Sequence, residues 1–95
     1  MAMKQRTVIV RNRLGLHARA AAKIVQLSNQ FKSQMTLQRL DNGRSGDAKS
    51  IFGILMLAAT PGTELMLTAS GEDEEKALSQ IIKLIEDQLE DGDGR

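Results

Sequence analysis

A single histidine, His17, stands in a setting that suits phosphoryl chemistry. It follows Gly15 by two residues and precedes Arg19, where a polar stretch gives way to an alanine-rich run. The first backbone amides of a helix point outward and favour negative charge, so an anion held near this ring would be stabilised. Arg19 adds a permanent positive charge and a planar set of donors that matches phosphate oxygens.

An imidazole ring can both accept and release a phosphoryl group. Its pKa in model peptides is about 6.5, so near neutral pH most rings carry a nitrogen lone pair that can attack phosphorus. The ring then becomes a good leaving group once its other nitrogen is protonated. A lone histidine beside a glycine can also have a purely structural role, as a helix N-cap or as a partly buried ring. These residues alone leave the functional and the structural hypothesis equally open.

Hydrophobic periodicity predicts the elements that position His17 in the first half of the chain. The apolar residues Ala21, Ile24 and Val25 recur at helical spacing, whereas Met35 and Leu37 alternate with polar residues as in a half-buried strand. Asn42-Gly43 is a strong hairpin signal. The predicted elements are a strand over Thr7–Val10, a helix over Ala18–Asn29, a strand over Ser33–Arg39 and a short antiparallel return over Arg44–Asp47.

The second half predicts two further helices around one strand. Ser50 suits the N-cap of a short helix over Ile51–Ala59, which ends at Thr60-Pro61-Gly62. The apolar run Glu64–Ala69 predicts a strand, and a stripe of leucine and isoleucine predicts a helix over Glu72–Glu90. Ser70 and Asp73 have the spacing of a capping box, and residues 91–95 are expected to form a frayed tail.

The element order β-α-β-β-α-β-α predicts an α+β fold. Three amphipathic helices need cover for their apolar stripes, and a sheet with one apolar face provides it. We therefore expect an open-faced β-sandwich, with a four-stranded antiparallel sheet and three helices on one face. The 95 residues suit a single domain, expected to be ordered over about 4–90.

Composition narrows the possible functions. The absence of cysteine excludes thiolate catalysis and cysteine-bound zinc, so no metal or cofactor is expected, and no apolar run approaches the length of a membrane helix. A cytoplasmic location follows as an expectation.

The net charge is +1, but most bases lie before residue 72 and most acids after it. An RNA-binding module is a weak alternative, since two phenylalanines are the only aromatic residues, and one histidine gives no hydrolase triad.

Four separated motifs resemble one known family. They are Gly15-Leu16-His17-Ala18-Arg19-x-Ala21-Ala22, the run Ala48-Lys49-Ser50-Ile51-Phe52-Gly53-Ile54, Pro61-Gly62-Thr63, and Gly71-Glu72-Asp73-Glu74. In order and spacing they resemble HPr, the histidine phosphocarrier of the bacterial phosphoenolpyruvate-dependent phosphotransferase system. The resemblance runs from about residue 4 to residue 90, and the HPr fold has the element order given above.

The resemblance implies a role for each matching residue. His17 matches the histidine phosphorylated on Nδ1 by phospho-enzyme I and dephosphorylated by enzyme IIA domains, and Arg19 matches the arginine that neutralises the phosphoryl group. Ser50 matches a serine modified by HPr kinase/phosphorylase in some bacteria, although a plain N-cap explains it equally well. The docking surface implied by the family includes Ile51, Phe52 and Ile54.

The sequence departs from the family signature at Ala20, where HPr normally has proline. Alanine is sterically acceptable in a first helical turn, so the departure affects the rigidity of the helix start rather than the nucleophile. The hairpin at Leu40–Gly43 is also slightly longer than in familiar members. Two functions remain as hypotheses. One is a monomeric phosphoryl carrier of the phosphotransferase system. The other is a regulatory relative, of a nitrogen-branch or catabolite-control type, that acts mainly by phosphorylation-dependent binding to proteins such as a transcriptional regulator.

Overall fold

The computed structural model describes residues 3–89, so Glu90 and the tail predicted over 91–95 lie outside the described residues. The predicted element order is confirmed, and a π-helical turn extends the last helix. The strands are β1 (Lys4–Ile9), β2 (Gln34–Arg39), β3 (Ser45–Asp47) and β4 (Glu64–Ser70). The helices are α1 (Ala18–Ser28), α2 (Ile51–Leu55) and α3 (Glu74–Lys83), and the π-helical turn is Leu84–Gln88.

The four strands form one antiparallel sheet in the order β1-β4-β2-β3. The predicted hairpin is confirmed, since β3 returns along β2 with Leu37 opposite Gly46. Odd-numbered side chains of β2, such as Met35 and Leu37, are buried, whereas their even-numbered neighbours are exposed. The sheet therefore has one apolar face, as its period of two requires.

The helices cover that apolar face, and the core lies between the two layers. Ile24 of α1, Ile54 of α2 and Ile81 of α3 pack in one cluster with Leu37 and Leu67 of the sheet, and all five are fully buried. The expected open-faced sandwich is thus confirmed. Each helix contributes buried side chains to the core. This packing fixes the position of each helix on the sheet, and with it the position of the N-terminal end of the helix.

Helix α2 is shorter than the predicted Ile51–Ala59. Its last turn tightens, because the amides of Leu57 and Ala58 donate to Ile54 and Leu55, three residues back rather than four. Ala58 then takes a φ of 51°, in the left-handed region that ends a helix. Leu57 and Ala59 remain buried, so apolarity in this segment reflects core packing rather than further helix.

The start of α3 also differs from the prediction. Ser70 is the last residue of β4 and does not cap the helix, so the predicted capping box of Ser70 and Asp73 is wrong. The amide of Gly71 instead donates to the Glu74 carboxylate at 3.0 Å. The carboxylate of Asp73 accepts bonds from the amides of Lys32 and Ser33 and from the Ser33 hydroxyl, which ties α3 to the start of β2.

The predicted uninterrupted helix to Glu90 ends as α-helix at Lys83. The π-helical turn that follows keeps Leu84 and Ile85 in the core, and Leu89 after it is also buried. It also directs Glu86 to β1, where its carboxylate accepts the amide of Ile9 at 3.0 Å. The turn therefore joins the end of the last helix to the outer edge of the sheet.

Candidate functional site

The loop before α1 is built around Gly15. This residue has a φ of 71°, and a Cβ at its position would lie 2.4 Å from the carbonyl oxygen of Ala59. Only glycine fits a left-handed conformation this close to another backbone. The amide of Leu16 donates to the same Ala59 oxygen at 2.9 Å, and the side-chain amide of Asn12 donates to the Gly15 carbonyl at 2.7 Å. These bonds fix the residue that precedes His17.

His17 is the N-cap residue of α1. Its backbone is extended, and its Nδ1 accepts the amide of Arg19 at 3.2 Å. A ring nitrogen that accepts a hydrogen bond carries its lone pair there, so the neutral ring holds its proton on Nε2. The ring is partly exposed. The plain helix cap and the nucleophile weighed above are therefore compatible in one geometry, because the capping interaction itself directs the Nδ1 lone pair at the helix start.

Arg19 and Ala20 occupy the first turn of α1. Arg19 is exposed, and within residues 3–89 its guanidinium forms no ion pair. Ala20 is 2% exposed and packs into the core. As a first-turn residue it contributes an amide without an intrahelical acceptor, where proline would contribute none. Alanine at this position thus leaves the helix intact and keeps a backbone donor in its first turn.

Ser50 caps α2 as predicted, because its hydroxyl accepts the amide of Gly53 at 3.0 Å. Helix α2 packs against α1. Of the three expected docking residues, Ile51 and Phe52 are exposed, at 45% and 80%. Ile54 is 0% exposed, and its assignment to the docking surface is corrected: it lies on the inner face of α2 and anchors the helix in the core.

One exposed apolar residue on α2's far end was missed. Met56, the C-cap residue of α2, is 62% exposed and extends the surface formed by Ile51 and Phe52. Its spacing of four from Phe52 would have identified it, since residues four apart share a helix face. Leu14 in the loop before α1 is likewise 59% exposed. The basic residues Arg11 and Arg13, which precede Leu14 in the same loop, are also exposed.

Two negative findings apply to the described part of the chain. No helix in residues 3–89 is long and apolar enough to cross a membrane. Within the same residues, no group of three histidine or acidic side chains is arranged to hold a metal ion.

Comparison with known proteins places these features in one family. The family model described as the PTS HPr component phosphorylation site matches residues 4–87. A phosphocarrier protein HPr from Cupriavidus necator is 45% identical over 91 residues, covering 96% of this chain and all of the relative. The HPr-like protein Crh from Bacillus subtilis is 41% identical over 87 residues, covering 92% of this chain and all of the relative.

The fold agrees with the same comparison. A crystal structure of the phosphocarrier protein HPr from Bacillus anthracis superposes with a TM-score of 0.85 at 36% identity, covering 90% of this chain and all of the other. The family match, the sequence relatives and the architecture all span nearly the whole described chain. The chain therefore belongs to the HPr family of phosphocarrier proteins of the phosphotransferase system.

Proposed function

We propose that this chain accepts a phosphoryl group on His17 from phospho-enzyme I and passes it to enzyme IIA domains. The observation that carries the proposal is the hydrogen bond from the Arg19 amide to His17 Nδ1, which sets the lone pair of a partly exposed ring at the start of α1. A carrier of this kind is not itself an enzyme, and it acts in the cytoplasm as a monomer.

The transfer step follows from this geometry. Nδ1 attacks phosphorus, a new N–P bond forms, and the electron pair of the breaking bond leaves with the donor. As phosphorus arrives, the Arg19 amide exchanges its bond to Nδ1 for one to a phosphoryl oxygen, and the exposed guanidinium of Arg19 approaches the same group. The Nε2 proton keeps the ring a good leaving group, so transfer to the next acceptor reverses the first step.

Partner recognition uses the apolar side chains near the site. Ile51, Phe52 and Met56 form an exposed apolar surface on α2, which packs against α1. Three exposed basic residues lie close to His17 in sequence: Arg11 and Arg13 precede it, and Arg19 follows it. Their positive charge suits partners with acidic surfaces. No nucleic-acid or membrane partner is part of this proposal.

A regulatory role is the second candidate, and the similarity to the HPr-like protein Crh favours it. In that role Ser50 is phosphorylated by an HPr kinase/phosphorylase, and the modified chain binds a transcriptional regulator. Phosphate on Ser50 adds a charge of about −2 at the N-terminus of α2, where the helix tolerates it but an acidic partner is repelled. The partner set would then change without refolding.

Phosphorylation with purified enzyme I and phosphoenolpyruvate tests the carrier proposal. We expect one phosphoryl group per chain that is lost in acid and absent from a His17→Ala variant. A Ser50→Ala variant is the matched control and should label as fast as the wild type. The labelled chain should then donate its group to an enzyme IIA domain. A wild-type chain that stays unlabelled would rule the proposal out.

A further inference from the structure

The end of α2 is held by an arginine from the sheet. Arg39 is the last residue of β2 and follows Met35 and Leu37 on the face that the helices cover. Its Nη1 donates to the carbonyl oxygens of Leu57 at 2.9 Å and Ala58 at 3.1 Å. Cations at the C-terminus of a helix bind carbonyl oxygens that lack helical partners.

Asp41 holds the guanidinium in place. Its two carboxylate oxygens accept Nε and Nη2 of Arg39 at 2.9 and 2.8 Å, which is the bidentate geometry. The side chain of Arg39 is only 16% exposed. The hydrogen bonds from Arg39 also lower the pKa of the Asp41 carboxyl. One planar group therefore joins the β2–β3 hairpin to the end of α2 through four hydrogen bonds.

The segment that Arg39 binds continues directly into the contact that supports His17. Ala58 has a φ of 51°, a conformation that costs a non-glycine residue free energy unless its surroundings stabilise it. The next carbonyl, that of Ala59, accepts the amide of Leu16 at 2.9 Å. Leu16 immediately precedes His17, so two hydrogen-bonded steps connect the guanidinium to the backbone of the ring.

We propose that Arg39, fixed by Asp41, is a positioning residue for His17: it holds the Leu57–Ala59 segment on which the loop before α1 rests. Arg39 touches no reacting atom. It sets the place of Nδ1 through the Ala59 carbonyl and the Leu16 amide. This inference gives the site of the proposed phosphoryl transfer a support outside the HPr motifs, in the β2–β3 hairpin.

An Arg39→Met variant tests the inference, with Arg44→Met as the matched control. Arg44→Met removes the same charge from the same hairpin, and Arg44 donates to the carbonyl of Met56 rather than to the carbonyl oxygens of Leu57 and Ala58 that Arg39 binds. A Ser33→Ala variant, altered at the opposite end of β2, controls for general loss of stability. Arg39→Lys and Asp41→Asn provide milder changes if Arg39→Met does not fold.

Two readouts separate positioning from stability. With enzyme I, Arg39→Met should lose about tenfold in kcat with KM within about twofold of the wild type, because displaced reacting atoms slow the chemical step more than docking. Nuclear magnetic resonance should show shifted ring-nitrogen signals for His17 and roughly tenfold faster exchange of the Leu16 amide. Arg44→Met and Ser33→Ala should leave these site signals unchanged, and Arg39→Lys should recover part of the rate.

The two proposals fail in different ways. If wild-type protein is not phosphorylated, the carrier function fails, and the His17 and Leu16 signals still decide whether Arg39 positions the loop. If wild-type protein is phosphorylated but Arg39→Met matches Arg44→Met in kcat, ring signals and Leu16 exchange, the positioning role of Arg39 is overturned alone.

Discussion

At the scale of single residues, the site depends on where one lone pair points. His17 does two things with Nδ1, since the atom that caps α1 is also the atom proposed to attack phosphorus. An N-cap interaction normally satisfies one helix amide. In the proposed transfer, the same amide binds a phosphoryl oxygen once the lone pair has attacked phosphorus. Capping and nucleophilic attack therefore use the Nδ1 lone pair one after the other in this transfer.

Replacement of Arg19 tests the charge beside that lone pair. We expect Arg19→Gln to slow phosphorylation of His17 by about 100-fold, the loss typical when a charged or polar group that stabilises developing negative charge is removed. Arg19→Lys keeps the charge but not the planar donors, so it should recover part of the rate. Single-turnover labelling by phospho-enzyme I measures both. Equal rates for Arg19→Gln and wild type would remove Arg19 from the proposed mechanism.

Gly15 gives a residue-scale prediction about stability and rate together. Gly15→Ala must keep a φ of 71° and place its Cβ 2.4 Å from the Ala59 oxygen, so the loop has to move. Gly62→Ala is the matched control, because Gly62 has a φ of 91° with no atom within 4 Å of the added Cβ. Both should lower the free energy of unfolding in urea, Gly15→Ala by more than about 1 kcal/mol and by more than Gly62→Ala.

The two glycine variants also differ in their expected effect on His17. Displacing Gly15 breaks the bond from Leu16 to Ala59, so labelling of His17 should slow in Gly15→Ala and stay near the wild-type rate in Gly62→Ala. If both variants lose the same stability and the same rate, the contact between the added Cβ and the Ala59 oxygen is not the cause. The positive φ, which Gly15 and Gly62 share, would then explain both losses.

At the scale of elements, sequence patterns predicted the strands and turns that depend on interactions between residues close together in the chain. The alternation of Met35 and Leu37 gave β2, and Asn42-Gly43 gave the hairpin, because both depend on neighbours in the chain. The family resemblance implies a docking surface on the short helix as a whole, and it does not separate the exposed Ile51 and Phe52 from Ile54, which packing against the core buries.

Contacts between distant segments were beyond the sequence patterns. Asp73 was interpreted as part of a capping box, yet its partners Lys32 and Ser33 lie about forty residues away and follow only from the fold. Arg39 offered a visible signal, since a charged residue at an inward position of an alternating strand needs a buried partner. The sequence did not identify that partner, because the carbonyl oxygens of Leu57 and Ala58 are backbone atoms common to every residue.

Helix α2 supplies an element-scale prediction about Ser50. Ser50→Ala removes the acceptor for the Gly53 amide and should cost about 1 kcal/mol of unfolding free energy. Ser50→Asp keeps an N-cap acceptor, so its stability should stay near that of the wild type. Its added charge beside Ile51 and Phe52 should nevertheless weaken binding to enzyme I severalfold. Calorimetric titration measures the affinity, and weaker binding by Ser50→Ala than by Ser50→Asp would exclude the electrostatic explanation.

At the scale of the whole molecule, ion pairs and carboxylate contacts join the helical layer to the sheet. Glu75 of α3 pairs with Lys4 and Arg6 of β1, each at 2.6 Å, and these bonds lower the pKa of the Glu75 carboxyl. Exposed pairs of this kind contribute little individually. Asp73 differs because its carboxylate is bound by two backbone amides and a hydroxyl, all from the segment that begins β2.

The Asp73 contacts predict how acid unfolds the protein. The Ser33 hydroxyl, followed by the Lys32 and Ser33 amides, lowers the pKa of the Asp73 carboxyl from 3.8 to about 2. A carboxyl whose pKa is lower in the folded state adds stability above its unfolded pKa and loses it as pH falls towards the folded value. The contribution of Asp73 is therefore complete above about pH 4 and disappears between pH 4 and 2.

An Asp73→Asn variant isolates that contribution, because asparagine keeps the shape of the side chain but does not titrate. We expect it to be less stable than the wild type at neutral pH and to lose less stability between pH 4 and 2, measured by urea unfolding at each pH. Glu72→Gln is the control, since the side chain of Glu72 is 77% exposed and lies 3.8 Å from Lys32. Its acid profile should follow the wild type. If the curves of Asp73→Asn and wild type stay parallel down to pH 2, the Asp73 contacts do not couple α3 to β2 through the charged carboxylate.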